Sequence, residues 1–161
     1  MEKFQELRDS ASKKIQIADY ILTMTYPLVR DPKLLLSVVE NLFLAYSYSI
    51  SSLLHYERLF KHIPPFPDDF GSKLDRFMDR CLGKYGIDSE NMRLMRDLRE
   101  IIVAHKKSPV EFPRKDSFVI CDGNHRLRTI SPSILKDYVG KAKLFIRKVS
   151  SIVSKDEAIF R

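Results

Sequence analysis

The sequence predicts an all-α protein. Its most natural architecture is an antiparallel bundle of four to five helices with one small β-hairpin near 117–130, in a single helical domain over 1–161. Three observations carry this. Apolar residues recur three or four positions apart through five long stretches. Prolines and glycines separate those stretches. One segment alone, after Pro113, changes to a short alternating pattern around Asp122-Gly123. Hydrophobic residues make up 44% of 161 positions and only five are glycine, enough apolar material for a real core.

Residues 2–26 place Phe4, Leu7, Ala11, Ile15, Ala18 and Leu22 on one side of an amphipathic helix. Pro27 kinks or ends it. Asp31-Pro32 restarts the chain, with Asp31 as N-cap and Pro32 in the first helical position. The second helix is expected to run to about His62. Leu35, Val38, Val39, Leu42, Phe43, Tyr46, Ile50, Leu53, Leu54 and Phe60 make it the central, most buried element. The proline cluster at 63–67 is a stiff connection. A shorter helix follows from Asp68 or Asp69 to Tyr85, with Gly86 as its C-cap signal. The next helix spans roughly 89–106, capped by Asp88 or Ser89.

Pairing Cys121 with Asn124 across a two-residue turn would put Phe118, Ile120, His125 and Leu127 on one face of the hairpin. Val119, Cys121, Arg126 and Arg128 would then share the other face. The apolar face should pack on the bundle, because a lone hairpin is marginal. Ser131-Pro132 caps the last helix, to about Ser154.

Charge is unevenly spread. Residues 91–155 carry 15 Lys and Arg against 6 Asp and Glu, while residues 1–90 carry 12 against 13. Such a one-sided basic field attracts phosphate polymers, although a solubilising surface would look the same. The charged start, Met1 to Glu6, does not read as a signal peptide. The most apolar run, Leu34 to Tyr48, is broken by Glu40 and Asn41 and reads as too short to span a bilayer. Cys81 and Cys121 lack metal or redox spacing, so reduced thiols in a cytoplasm are expected. No membrane association, metal or cofactor is expected.

The sharpest stretch is Arg96-Asp97-Leu98-Arg99-Glu100-Ile101-Ile102-Val103-Ala104-His105-Lys106-Lys107. On a helical wheel Leu94, Leu98, Ile101 and His105 fall within about 60°. Arg99 lies about 120° round from His105 and about 9 Å along the axis. It shares a second face with Met92, Met95, Ile102, Val103 and Lys106, which suits a subunit interface. A twofold axis beside this helix would bring Arg and His from two chains into one groove.

The spacing Arg99-(five residues)-His105 near a helix end resembles the signature of the HEPN superfamily. The segment Ser108-Pro109-Val110-Glu111-Phe112-Pro113-Arg114-Lys115 also resembles one in small archaeal proteins of this kind. The resemblance implies a helical bundle, a dimer with two motifs facing a shared cleft, and metal-independent ribonuclease activity. Several relatives are toxins or defence effectors of toxin–antitoxin pairs. Other members bind nucleotides without cleaving or scaffold a protein partner. Two positions depart from the family. Many relatives have Asn, Asp or His after the Arg, where this chain has Glu100. Toxins modified by a partner adenylyltransferase carry a Tyr two residues after the His, where this chain has Lys107, so that regulation is not implied.

The chemistry suits the residue types. An imidazole shuttles the 2′-OH proton near neutrality, and a guanidinium steadies the charged phosphorane. Lys106, Lys107, Arg114, Lys115, Arg126 and Arg128 are the expected phosphate contacts, with Arg96 and Glu100 as accessories and Glu100 as a local ion-pair partner. The bland reading of Arg99 and His105 is an interface arginine and a half-buried histidine at a helix end. His55, His62 and His125 read as structural, since no metal-spaced partners accompany them. The expected function is therefore RNA binding by a homodimer, with metal-free cleavage by Arg99 and His105. The alternative is a non-catalytic helical module that binds nucleotide, RNA or a protein.

Overall fold

The structure is a computed structural model and describes residues 1–108, 110–121 and 126–155. Helix α1 runs Lys3–Tyr20, passes through a π-helical turn at Ile21–Thr25 and ends as the short α2, Tyr26–Val29. The π turn lies directly before Pro27. Its wider coil gives the ring room, and the Tyr26 N–H bonds to the Ile21 carbonyl five residues back. Pro27 therefore bends the helix type without ending the helix.

The central α3 is Lys33–Leu59, 27 residues and about 40 Å long. Asp31 opens it, with Oδ1 accepting the Lys33 N–H at 3.0 Å, though helix proper starts after Pro32, one residue later than expected. It closes three residues earlier than expected in a Schellman turn. The His62 N–H reaches the Glu57 carbonyl, the Lys61 N–H reaches that of Arg58, and Lys61 stands at φ +60°. Leu35, Val38, Val39, Leu42, Ala45, Tyr46, Leu53 and Leu54 are completely buried. By length and composition alone α3 is apolar enough to cross a membrane, and more than half of its most apolar stretch is buried inside the fold, as in a core helix.

Helix α4, Phe70–Phe77, continues through a second π turn, Met78–Leu82. Asp69 caps it by accepting the Ser72 N–H at 2.9 Å. Gly86, at φ +60°, makes the left-handed turn that leads to the next element. Helix α5 spans Glu90–Lys107, with Asp88 Oδ1 on the Glu90 N–H at 2.9 Å. Helix α6 spans Pro132–Ser154, with Ser131 Oγ accepting the Ile134 N–H at 3.3 Å.

Where a hairpin was expected there is a three-stranded antiparallel sheet, β1 (Val110–Arg114), β2 (Ser117–Cys121) and β3 (Leu127–Ile130), in that order. The tight two-residue turn is Lys115-Asp116, between Arg114 and Ser117. The expected pairing of Cys121 with Asn124 is not the register found: Cys121 pairs with Leu127. The shift of three is odd, so it exchanges the faces of β3. Arg128 pairs with Ile120 and turns inward; Leu127 turns outward and is 62% exposed. His125 and the expected turn Asp122-Gly123, with Asn124, lie outside the described residues. Phe118 and Ile120 are buried in the main core, as expected of the apolar sheet face, and the changed register brings Ile130 in beside them in place of Leu127.

Among the described residues one carboxylate is fully buried. Glu57, 1% exposed, accepts from Lys84 Nζ at 2.9 Å, His62 Nδ1 at 3.0 Å and the Tyr85 hydroxyl. A buried charge persists only when its lone pairs are met in this way. The cluster clamps the end of α3 to the end of the second π turn. Burial and this carboxylate raise the Tyr85 hydroxyl pKa, and burial pushes the Cys81 thiol up to about 12.

The expected subunit face of α5 is in part the chain's own core. Met92 and Met95 are 1% and 0% exposed, in the chain's own core, so no partner is needed to cover them. Val103, on the same face, is 41% exposed. Met95→Ala should therefore lower the unfolding free energy by about 2–5 kcal/mol through cavity formation. Val103→Ala should change it by less than about 0.5 kcal/mol in dilute protein. Chemical denaturation of the two variants at low concentration checks this.

Candidate functional site

The motif sits on the last three turns of α5, where that helix outruns its cover. Its inner stripe, Leu94, Leu98 and Ile101, is buried. His105 continues the stripe past the end of the bundle and is about one third exposed at the side chain. It meets the sheet there. His105 Nδ1 lies 2.7 Å from Oε1 of Glu111 on β1. A carboxylate has no proton to give, so Nδ1–H is the donor. Ser108 fixes the crossing from α5 to β1, its hydroxyl donating to the Cys121 carbonyl at 2.7 Å.

Arg99 points elsewhere. Its guanidinium lies over the Phe70 ring, 4.8 Å from the centroid, in a cation–π contact. It lines an open groove of about 530 Å³ with Glu40, Phe43 and Leu44 of α3, Phe70 of α4, and Ile102, Val103 and Lys106 of α5. The face that is core at Met92 and Met95 is thus an open, partly charged groove at Arg99, Val103 and Lys106. Within one chain Arg99 and His105 share no contact among the described residues.

The cations expected on phosphate divide into two sets. Lys106, Lys107, Arg114, Lys115 and Arg126 are exposed. Arg128 is half-buried and engaged. It pairs with Asp97, whose other oxygen accepts the Tyr138 hydroxyl at 2.5 Å, and its Nη1 lies 3.6 Å from Glu100 Oε2. Burial and the Asp97 hydrogen bond push the Tyr138 hydroxyl up to about 12. Arg128 therefore does not stand on an outer face of the sheet, and Arg126 lies just outside β3.

A second groove, about 520 Å³, runs between α5 and α6 past Arg93, Arg96, Asp97, Glu100, Tyr138 and Lys141. Its acids outnumber its cations by four to three, and Lys141 is tied to Glu90 at 2.8 Å and to Asp137 at 3.0 Å. The Arg99 groove carries two cations and one acid. Of the two, it is the one suited to an anion. Arg96 is exposed and its guanidinium reaches Met78 Sδ at 3.2 Å, away from the Arg99 groove.

The other histidines have local partners. His62 bonds to Glu57, and His55 packs edge-on to Phe66 with burial lowering its pKa. No cluster of three or more His, Cys, Asp or Glu side chains is arranged to hold a metal among the described residues.

Sequence reasoning missed Glu111. It stands six residues after His105 in a stretch broken by two prolines, which reads as loop. Even read as an edge strand, the alternation of Val110, Glu111 and Phe112 points Glu111 to solvent, so no signal in the sequence marked its contact with His105. Against known proteins, the chain matches no family model, and no curated protein or solved structure matches it at a significant level.

Arg128 and the helix-end lysines should behave differently when removed. Arg128→Ala should cost about 1–3 kcal/mol of stability, the range for a hydrogen bond to a charged group. Lys106→Ala with Lys107→Ala should leave the thermal midpoint nearly unchanged, since both are exposed. Parallel thermal melts read both.

Proposed function

We propose that the chain binds RNA through its basic end and, as a twofold dimer of HEPN type, cleaves it without a metal. The observation that supports this most is the His105–Glu111 pair at the basic end of α5, a half-exposed imidazole with one nitrogen already committed to a carboxylate. That arrangement suits a proton shuttle. Arg99 and Lys106 beside an open groove suit a phosphate. A second chain packed along α5 supplies the Arg99 that its partner's His105 lacks. The setting proposed is a reducing cytoplasm.

The chemistry is a transesterification. The 2′-oxygen bonds to phosphorus as its proton passes to the imidazole, and the P–O5′ bond breaks. The 5′-oxygen leaves with a proton from imidazolium or water. The products are a 2′,3′-cyclic phosphate and a 5′-hydroxyl end.

A second reading is a phosphate-binding module without catalysis. The stacking of Arg99 on Phe70, away from His105, favours it. Glu100 and Lys107, where the chain leaves the family pattern, point the same way.

The two are separated by incubating purified protein with mixed RNA in chelator. His105→Ala should slow cleavage about a hundredfold to ten-thousandfold, and Arg99→Ala by a comparable factor through lost charge stabilisation. Equal fragments from the wild-type protein and His105→Ala would reject this site. RNA binding without fragments would leave the binding module. Loss of Lys106 and Lys107 should weaken binding of all RNA sequences alike and flatten its salt dependence.

A further inference from the structure

We propose that Glu111 is the positioning residue for His105: it holds Nδ1 as the protonated nitrogen and so leaves Nε2 as the proton acceptor. This rests on the reading of His105 as the proton shuttle. It adds that the β-sheet, and not only the helix bearing the motif, belongs to the working site.

The geometry leaves Glu111 little choice of position. It pairs with Ile120, which is completely buried, so both residues stand on the inner face of the sheet. Turning Glu111 to solvent would need β1 to slip by one residue against β2, out of the register it holds from Val110 to Arg114. Ser108 holds the other end of the short crossing through its 2.7 Å bond to Cys121. The Glu111 carboxylate is about four-fifths buried at the side chain, yet no arginine or lysine pairs with it among the described residues; its partner is His105. Burying a carboxylate costs free energy unless a donor meets it. The Nδ1–H of His105 is that donor.

Imidazole left to itself favours the other tautomer, with the proton on Nε2, which offers a substrate hydroxyl a donor where an acceptor is needed. A carboxylate on Nδ1 reverses that preference and stops rotation of the ring. Among the described residues nothing bonds to Nε2. The nitrogen left to take the proton is therefore chosen by the sheet.

The test reads the tautomer directly. Nitrogen-15 NMR of the histidine ring above pH 7.5 should show His105 with Nδ1 protonated in the wild-type protein and mainly Nε2 protonated in Glu111→Ala. His62 and His55 serve as internal references. Cleavage of mixed RNA is measured on the same samples. Glu111→Ala should lower kcat about tenfold to a hundredfold, the usual cost of losing an orienting partner, with KM and the melting temperature nearly unchanged. Glu111→Asp, which keeps the carboxylate, should restore part of kcat.

A wild-type Nε2–H tautomer would overturn the proposal whether or not the protein cleaves RNA. So would full activity in Glu111→Ala when His105→Ala is inactive, and that result would leave the ribonuclease reading standing. Wild-type protein that cuts no RNA but shows the Nδ1–H tautomer would end the ribonuclease reading while upholding the positioning of His105 by Glu111.

Discussion

Most of this structure follows from the need to cover α3. Its apolar residues do not form a single stripe; buried positions occur around nearly the whole circumference, from Leu35 and Val38 to Leu53 and Leu54. Each such leucine removed from water contributes on the order of 1.5–3 kcal/mol. A helix of this kind must be surrounded. Helices α1 and α6 take the longest contacts, and α4 and α5 close the remaining side. The cover on that side stops short. Helix α4 begins only at Phe70, whose ring lies over Arg99, and α5 runs on from there beside the exposed part of α3. The candidate groove is the space this mismatch in length leaves.

The sheet answers the same problem at the other edge of α5. Its inner face brings Phe118, Ile120 and Ile130 to the core and carries Glu111 and Arg128 alongside them. Two charged groups on a buried face need partners. Both partners come from α5: His105 for Glu111, and Asp97 with Glu100 for Arg128. The register that buries three apolar side chains thereby aligns two ionic contacts on one helix. Arg128 is withdrawn from the exposed basic surface by this, which leaves Lys106 and Lys107 at the end of α5, Arg114 and Lys115 at the first turn of the sheet, and Arg126 just before β3.

The helices were legible because spacing and caps agreed. Asp31, Asp69, Gly86 and Ser131 stand where the chain changes direction, and each does the local work its side chain, or lack of one, suits. Strand β1 was not legible, because Pro113 argues against any strand. An edge position tolerates it, since its missing N–H can face away from the ladder. The register of β3 was misread because Asp122-Gly123 is the standard signal for a two-residue turn, and burial of Ile130 overrode it. Met92 and Met95 looked like interface because a wheel treats a helix as uniform along its length. In the candidate site, Arg99 and His105 were readable as a spacing. Glu111 was not, since its contact crosses from helix to strand.

The π turn before Pro27 sets a limit on how this chain can vary in length. It is one residue inserted into a helix, and everything after it is rotated accordingly. That rotation delivers Tyr26 to the sheet, where its hydroxyl donates to the Asp116 carbonyl at 2.9 Å in the Lys115-Asp116 turn. Arg30 Nη1 approaches the Asp116 carboxylate at 3.5 Å from the same end. Loss of a single residue between 21 and 25 would restore a regular α-helix, drive the Pro27 ring into the carbonyl four residues back, and swing Tyr26 about 100° off its acceptor. A homologue one residue shorter at this point would have to have lost its proline as well, and would hold its sheet by some other contact.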